Sequence, residues 1–165
     1  LLNARGIRAA PKWPNDVLYD RAKIAGILIE SGETRFGTRA VAIGCGINCA
    51  HYPGNIESGA SSLSSAGYDI GTEDLFLAMT EAFAAVLDLW RQGEGFADVR
   101  RAWLDIASGV GGPIVVRLAD RTLEGLFEGL DAGGRLILRE ADGARQTIAA
   151  GDVFLLPSSE AEAGS

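Results

Sequence analysis

Cysteine is scarce in this chain. Cys45 and Cys49 are the only two in 165 residues, and they lie too close together to staple a fold. That excludes a secreted disulfide framework and makes a reducing cytoplasm the compartment that fits. No apolar run approaches the roughly 18 residues of a membrane span, and no signal segment is visible. Positive charge is short as well: 15 Lys and Arg against 22 Asp and Glu leave a net charge of −7. The broad basic footprint that nucleic acid requires is missing. Residue 1 is leucine and the sole methionine is Met79, so the sequence is expected to start inside a longer one. It holds no internal repeat and no coiled-coil heptad.

Apolar residues make up 47% of the chain, enough for a real core, and the length suits one ordinary domain or a domain with a small appendage. Charge is unevenly spread. Residues 1–23 carry Arg5, Arg8, Lys12, Arg21 and Lys23 against only Asp16 and Asp20, a balance of +3 in an acidic protein. A short positive segment of this kind suits a small anionic ligand better than a polyanion.

Periodicity and turn chemistry divide the chain. Residues 1–10 read as the end of a helix entering a loop that Pro11 closes, and 13–19 as a short strand with Pro14 at its edge or start. Residues 23–31 and 39–48 read as two further strands, the first buried on both faces, and the three together as an antiparallel meander. A long Gly, Ser, Asn and Pro-rich loop follows over 49–71. Thr72 is expected to cap a helix whose buried face holds Leu75, Phe76, Met79, Ala82, Phe83, Val86, Leu87 and Trp90. A second helix is expected over 96–107, burying Val99, Trp103, Leu104 and Ile106 or Ala107. Beyond the break at 108–113 the period becomes two. Five strands are expected over 114–118, 122–130, 135–140, 145–150 and 153–155, forming a small closed barrel before a disordered tail from Ser158.

The chemistry is concentrated in Lys12-Trp13-Pro14-Asn15-Asp16, then Lys23 leading into Ile24-Ala25-Gly26-Ile27-Leu28-Ile29-Glu30. Two ammonium groups, an amide and a carboxylate stand beside an apolar strand, and charge placed next to a buried strand is costly. A bound anion or a reaction would account for that cost. By spacing alone, a surface ion pair of Lys12 with Asp16 and a solvated turn lysine at 23 account for the pattern as well. Gly26, Gly44 and Gly46 interrupt strands, which marks either close backbone approach to a ligand or a bulge. The Gly44-x-Gly46 pair is not a dinucleotide fingerprint: its third glycine is absent and 51–54 prevents an immediate helix. Cys45, Cys49 and His51 do not follow a zinc-ligand spacing, and buried apolar cysteines are the default.

These segments, with Gly44-Cys45-Gly46-Ile47-Asn48 after them, resemble the second half of the biotin protein ligase catalytic domain in order and spacing. The strands after Pro113 resemble that family's C-terminal SH3-like domain. The resemblance implies an α+β fold: a partial mixed or antiparallel sheet with helices, of the class II aminoacyl-tRNA-synthetase-like biotin/lipoate ligase type, its N-terminal half missing, followed by a small SH3-like β-barrel. The implied boundaries are 1–110 for the catalytic portion, 111–157 for the barrel and 158–165 for the tail.

The implied activity joins biotin to ATP as biotinyl-5′-AMP and then passes the biotinyl group to a lysine of a biotin carboxyl carrier protein, a subunit or domain of acetyl-CoA carboxylase. Lys23, Asp16 and Lys12 would be catalytic. Lys23, Gly26, Ile27, Leu28, Gly44 and Gly46 would bind biotin. Lys12, Asn15, Asn48, Ser61 and Ser62 would bind ATP or the adenylate, with Ser61 standing where threonine is more usual. Asn15 and Asp16 would meet Mg²⁺. No nucleic acid or membrane partner is implied, and a homodimer is possible. The family's Gly-Arg-rich loop lies upstream of the Lys-Trp-Pro-Asn-Asp element, and Arg5-Gly6-Ile7-Arg8 does not match it. A non-catalytic fragment or binding module that keeps the fold is therefore the alternative expectation. Lipoate ligation on the related fold is a further one, against which the Lys-Trp-Pro-Asn-Asp element and the appended barrel argue.

Overall fold

The computed structural model describes residues 2–52, 54 and 59–157. They divide into two compact units. The first comprises residues 1–11 and 15–80, and the second residues 12–14 and 81–165.

The first unit is built on a four-stranded sheet in the order β1 (Ala9–Lys12), β2 (Asp16–Tyr19), β3 (Ala22–Glu33), β4 (Arg39–Ile47). The expected helix end over residues 1–10 is instead a single 3-10 turn, Asn3–Arg5, followed by β1. Pro11 lies inside β1. That is tolerated because β1 is an edge strand, where one row of N–H groups has no ladder to complete. The strand expected over 13–19 begins only at Asp16, after a cis Trp13–Pro14 peptide. The expected antiparallel meander is present through β2, β3 and β4.

A bulge at Ile24 interrupts the β2–β3 pairing. Val17 faces Ala25 and Leu18 faces Lys23, so Ile24 is the extra residue. It turns Ile24 into a core with Leu2, Ile7, Ala9, Leu63 and Leu75. The expected two-sided burial of 23–31 does not hold. Ile24 and Ala25 are buried, but Leu28 and Ile29 are more than half exposed, and nearly all of β4 is exposed too. Among the described residues, nothing packs on this half of the ladder.

Helix α1 (Thr72–Trp90) forms where the periodicity placed it. Its cap is displaced by one residue: the Leu75 N–H donates to the Gly71 carbonyl, so Gly71 takes the cap position and Thr72 the first turn. Of the apolar face expected to be buried, only Leu75 is, whereas Phe76, Phe83, Val86, Leu87 and Trp90 are exposed. Periodicity identifies a face that favours burial, but not whether another element covers it.

In the second unit, α2 (Phe96–Leu104) is shorter than expected and Ile106 beyond it is exposed. The five expected strands form as β5 (Pro113–Arg117), β6 (Thr122–Leu130), β7 (Leu136–Arg139), β8 (Arg145–Ile148) and β9 (Asp152–Leu155). They pair antiparallel in the order β8-β7-β6-β5-β9. Alternate residues Ile114, Val116, Leu136, Leu138, Ile148 and Val153 enclose one core around Phe127, with Trp103 and Leu104 packed against it. The tail expected from Ser158 lies outside the described residues.

Candidate functional site

The bulge at Ile24 sets the site. It leaves Lys23 opposite Leu18, on the face of β2 that also carries Asp16, and the Lys23 Nζ lies 2.5 Å from Asp16 Oδ1. The Lys23 side chain is 32% exposed and that of Asp16 14%, so the pair opens to solvent on the cation's side. Lys23, which spacing alone allowed to be a solvated turn residue, is thus ion-paired with Asp16. A methyl group built on Gly26 would stand 3.3 Å from both Cε and Nζ of Lys23. Gly26 thus leaves the space in which the Lys23 ammonium rests, a closer and more definite reason for glycine than ligand approach alone.

Beyond the bulge the β3–β4 register is regular. Gly26 faces Gly46 and Leu28 faces Gly44, so these four positions share one face. The face beside Lys23 is consequently almost bare: a side chain at Gly46 would meet nothing within 4 Å, and one at Gly44 only ordinary contact with Leu28. Ile27 falls on the opposite face with Cys45. Its part in the region is made by the backbone, the Ile27 N–H donating to the Asn15 carbonyl at 2.8 Å and so fixing the residue before Asp16.

The loop residues gather around Lys23 from the other side. The Lys23 N–H donates to Gly59 O (3.1 Å), and the Ser61 N–H donates to Lys23 O (3.0 Å), a parallel bridge to Ala60. Asn48 Nδ2 donates to Ser61 O at 2.9 Å and to Lys23 O at 3.4 Å, which ties loop and strand together. Ser62 is fully buried. Its Oγ accepts from the Ser65 N–H and lies 2.9 Å from Ser65 Oγ, so its hydroxyl is spent on a local turn. Ser61 is half-buried at the loop's crossing with Lys23.

Lys12 is buried. It belongs, with Trp13 and Pro14, to the second unit, whereas Asn15 and Asp16 belong to the first. Of the cysteines expected to be buried, Cys49 is half-buried but Cys45, on the sparsely covered β4, is exposed; both are free thiols. Among the described residues no three His, Cys, Asp or Glu side chains converge as metal ligands. The residue that sequence reasoning missed is Trp13. It is buried with Phe127 and Leu138 in the second unit's core, and its Nε1 donates to the Gly134 carbonyl at 3.2 Å. A bulky apolar ring inside an otherwise largely polar element was the available signal, but nothing in the sequence assigned it to strands a hundred residues away.

The described residues thus combine a lysine–carboxylate pair over a glycine-lined strand with a separate five-stranded antiparallel unit. The model of the biotin/lipoate A/B protein ligase family matches residues 2–48, and that of the biotin protein ligase C terminal domain matches residues 110–156. The chain is 43% identical over 156 residues to the biotin--[acetyl-CoA-carboxylase] ligase of Paracoccus denitrificans, covering 89% of this chain and 63% of that protein. It is 31% identical over 148 residues to the bifunctional ligase/repressor BirA of Escherichia coli (strain K12), covering 87% of this chain and 45% of that one. The biotin protein ligase of Aquifex aeolicus, solved in complex with biotin and ATP, superposes with a TM-score of 0.75 at 21% identity, covering 95% of this chain and 66% of that one. At that identity the likeness is one of fold.

In sequence the chain resembles biotin protein ligases, with the C terminal domain match following the biotin/lipoate ligase match along the chain. It spans less than two thirds of the length of these two curated relatives.

Proposed function

We propose that this chain carries the adenylate-forming and transfer chemistry of a biotin–protein ligase, with Lys23 at its centre. The observation that carries the reading is the seating of the Lys23 ammonium over Gly26 and against Asp16, beside the bare Gly44–Gly46 face. That face suits the narrow apolar ring and chain of biotin, with the biotin carboxylate directed at Lys23. The Paracoccus relative's name and the biotin- and ATP-bound Aquifex structure support the choice of ligand and nucleotide.

In the first step a biotin carboxylate oxygen attacks the α-phosphorus of ATP. The new C(O)–O–P bond forms, the bond to the β-phosphate oxygen breaks, and pyrophosphate leaves. Two anions must meet, and negative charge builds on the phosphoryl oxygens. An ammonium held at that point stabilises the transition state more than the separated reactants. Lysine suits this role because its flexible point charge follows the moving anion. Lys12 is assigned to the phosphates as a second cation, and Asn15, Asn48 and Ser61 to the nucleotide. Mg²⁺ would arrive with the nucleotide. It needs only one or two protein oxygens beside phosphates and water, which Asn15 and Asp16 can offer.

In the second step a carrier lysine amine attacks the acyl carbon, the amide bond forms and AMP leaves. That amine has an ordinary pKa of about 10.4 and must surrender a proton. Asp16, at the solvent margin beside Lys23, is the nearby acceptor. The carrier would be the biotin carboxyl carrier protein or domain of acetyl-CoA carboxylase. The reading keeps 1–110 as the catalytic portion and 111–157 as the barrel, which a C-terminal family match beginning at residue 110 supports.

The test is transfer of radiolabelled biotin to a purified carrier domain with ATP. The 165-residue chain is assayed alone and with the upstream third of the Paracoccus relative fused ahead of it. ATP-dependent label in the carrier is expected from the fused form. No label from either form, with biotin or with lipoate, removes the ligase reading and leaves the non-catalytic alternative. Label from lipoate alone turns it to the lipoate branch.

A further inference from the structure

The second unit sets nearly all of its arginines against a partner. Arg91 and Arg101 share Asp98, Arg121 pairs with Asp120 and Arg135 with Asp131. Arg100 donates to the Leu130 carbonyl, and Arg117 lies over the Phe154 ring. Arg139, the last residue of β7, differs. It is exposed, and among the described residues its guanidinium forms no hydrogen bond or ion pair.

Its surroundings do not supply one. In register Arg139 stands directly opposite Arg145 of β8, and residues paired across strands share a face. Like charges so placed repel. The carboxylate at hand is that of Glu128, the extra residue of a bulge in β6, where Phe127 faces Leu138 and Gly129 faces Ile137. Its side chain reaches Arg145, one strand beyond the neighbouring β7, and both of its oxygens are taken there. Oε2 accepts from Arg145 Nε at 2.7 Å, and Oε1 accepts from Nη2. Arg139 acts on that carboxylate only through space, as the smallest of the influences on it. One carboxylate thus stands between two guanidinium groups and is bonded to one.

The planar fork of Arg139 is left facing solvent, and such a fork matches a carboxylate bidentately. Leu126, opposite it on β6, and Ile137, two residues before it on β7, are half-buried on the same face, so apolar surface adjoins the cation. Arginine beside apolar surface is characteristic of protein contacts. Residues 81–157 carry eight arginines and no lysine against twelve Asp and Glu, a negative balance that opposes an extended polyanion but not a single carboxylate.

We propose that the Arg139 end of β7 is a docking site for an acidic segment of a partner protein, which sets an Asp or Glu carboxylate on the Arg139 guanidinium and an apolar side chain over Leu126 and Ile137. The site is independent of the ligase reading.

The test is NMR of the 165-residue chain, followed at the Arg139 Nε–H and, in every variant, at the Ile137 amide. The probe is a short peptide of alternating glutamate and leucine. A glutamine–leucine peptide of the same length and inorganic phosphate are the comparisons. The glutamate peptide is expected to shift both signals saturably, and to bind more weakly as salt rises. Arg139→Gln should weaken binding about tenfold or more. Arg139→Lys, which keeps the charge without the fork, should weaken it about threefold. Arg121→Gln removes an arginine already paired with Asp120 and should leave binding unchanged. No saturable shift with the glutamate peptide overturns the proposal, as does an equal response to the glutamine peptide or undiminished binding in Arg139→Gln. Phosphate binding as tight as that of the glutamate peptide makes this a small-anion site and overturns the assignment to a protein. Arg145 and Glu128 present opposite charges to Arg139, so Arg139→Gln should keep the second unit's tryptophan-detected urea midpoint within about 0.2 M of the parent. A larger fall would show Arg139 to be a structural residue and overturn the proposal as well.

Discussion

At the scale of single residues, the site depends on one ammonium and the glycine beneath it. On the proposed ligase reading, Lys23→Ala removes the cation from the point where carboxylate and phosphate would meet. Pyrophosphate exchange dependent on biotin is expected to fall by about a thousandfold, while circular dichroism and the unfolding midpoint stay near those of the parent. Retained exchange would contradict the role assigned to Lys23. Gly26→Ala is the subtler test, because its methyl group would stand 3.3 Å from Nζ and Cε of Lys23 and displace only the flexible end of that side chain. Stability should change by less than about 1 kcal/mol. The same exchange reaction should slow by about tenfold, since a small misplacement of a reacting group is enough to cost rate. Equal loss of fold and activity would show Gly26 to be merely structural. The residue types of the site were legible because charge beside an apolar strand is costly. Their pairing was not. The Lys23–Asp16 pair depends on the bulge at Ile24, which puts Lys23 on the same face as Asp16.

At the scale of elements, legibility follows how local the determining chemistry is. The strands of the second unit were readable because their turns are specified on the spot. Asp131 and Asp142 accept backbone N–H groups two residues on, and Gly134 and Gly143 supply the left-handed φ that those turns need. The bulge at Ile24 has no such signature, since it arises from how β2 and β3 meet. The burial of β3, β4 and α1 was misjudged for a related reason: an apolar pattern states a preference that only a distant partner can satisfy. The loop after β4 is the intermediate case. Its composition marked it as a loop, but its anchorage to Lys23 draws on the side chain of Asn48 as well as on backbone bonds. Asn48→Ala strips that donor from Ser61 O and Lys23 O. A loss of about 1–3 kcal/mol is expected in urea unfolding followed by tyrosine absorbance. Tyrosine is the appropriate signal because Tyr19, Tyr52 and Tyr68 all belong to the first unit. No change in the midpoint would mean that Asn48 does not secure the loop.

At the scale of the whole chain, the two units carry separate reporters, and the second holds two carboxylates that respond to acid. Trp13, Trp90 and Trp103 all lie in the second unit. So do Glu128 and Asp131, both held below the usual carboxylate range. For Glu128 the main cause is the hydrogen bond from Arg145, and for Asp131 it is the backbone N–H of Arg135, followed by the Arg135 side chain. A carboxylate whose pKa is lower folded than unfolded takes up its proton more readily in the unfolded chain. Its contribution is therefore complete above the unfolded value and is lost as pH falls through the folded one. Both groups are exposed, so each effect is small and screened by salt. Together they make the second unit's tryptophan-detected urea midpoint decline below about pH 4, more steeply at low than at high ionic strength. Asp131→Asn keeps an oxygen for the Gly133 and Arg135 N–H groups but cannot titrate, so it should flatten the decline without undoing the turn. If the Asn variant follows the parent's pH curve, the acid response has another source, and the charge on Asp131 is not part of what holds the turn in front of Trp13.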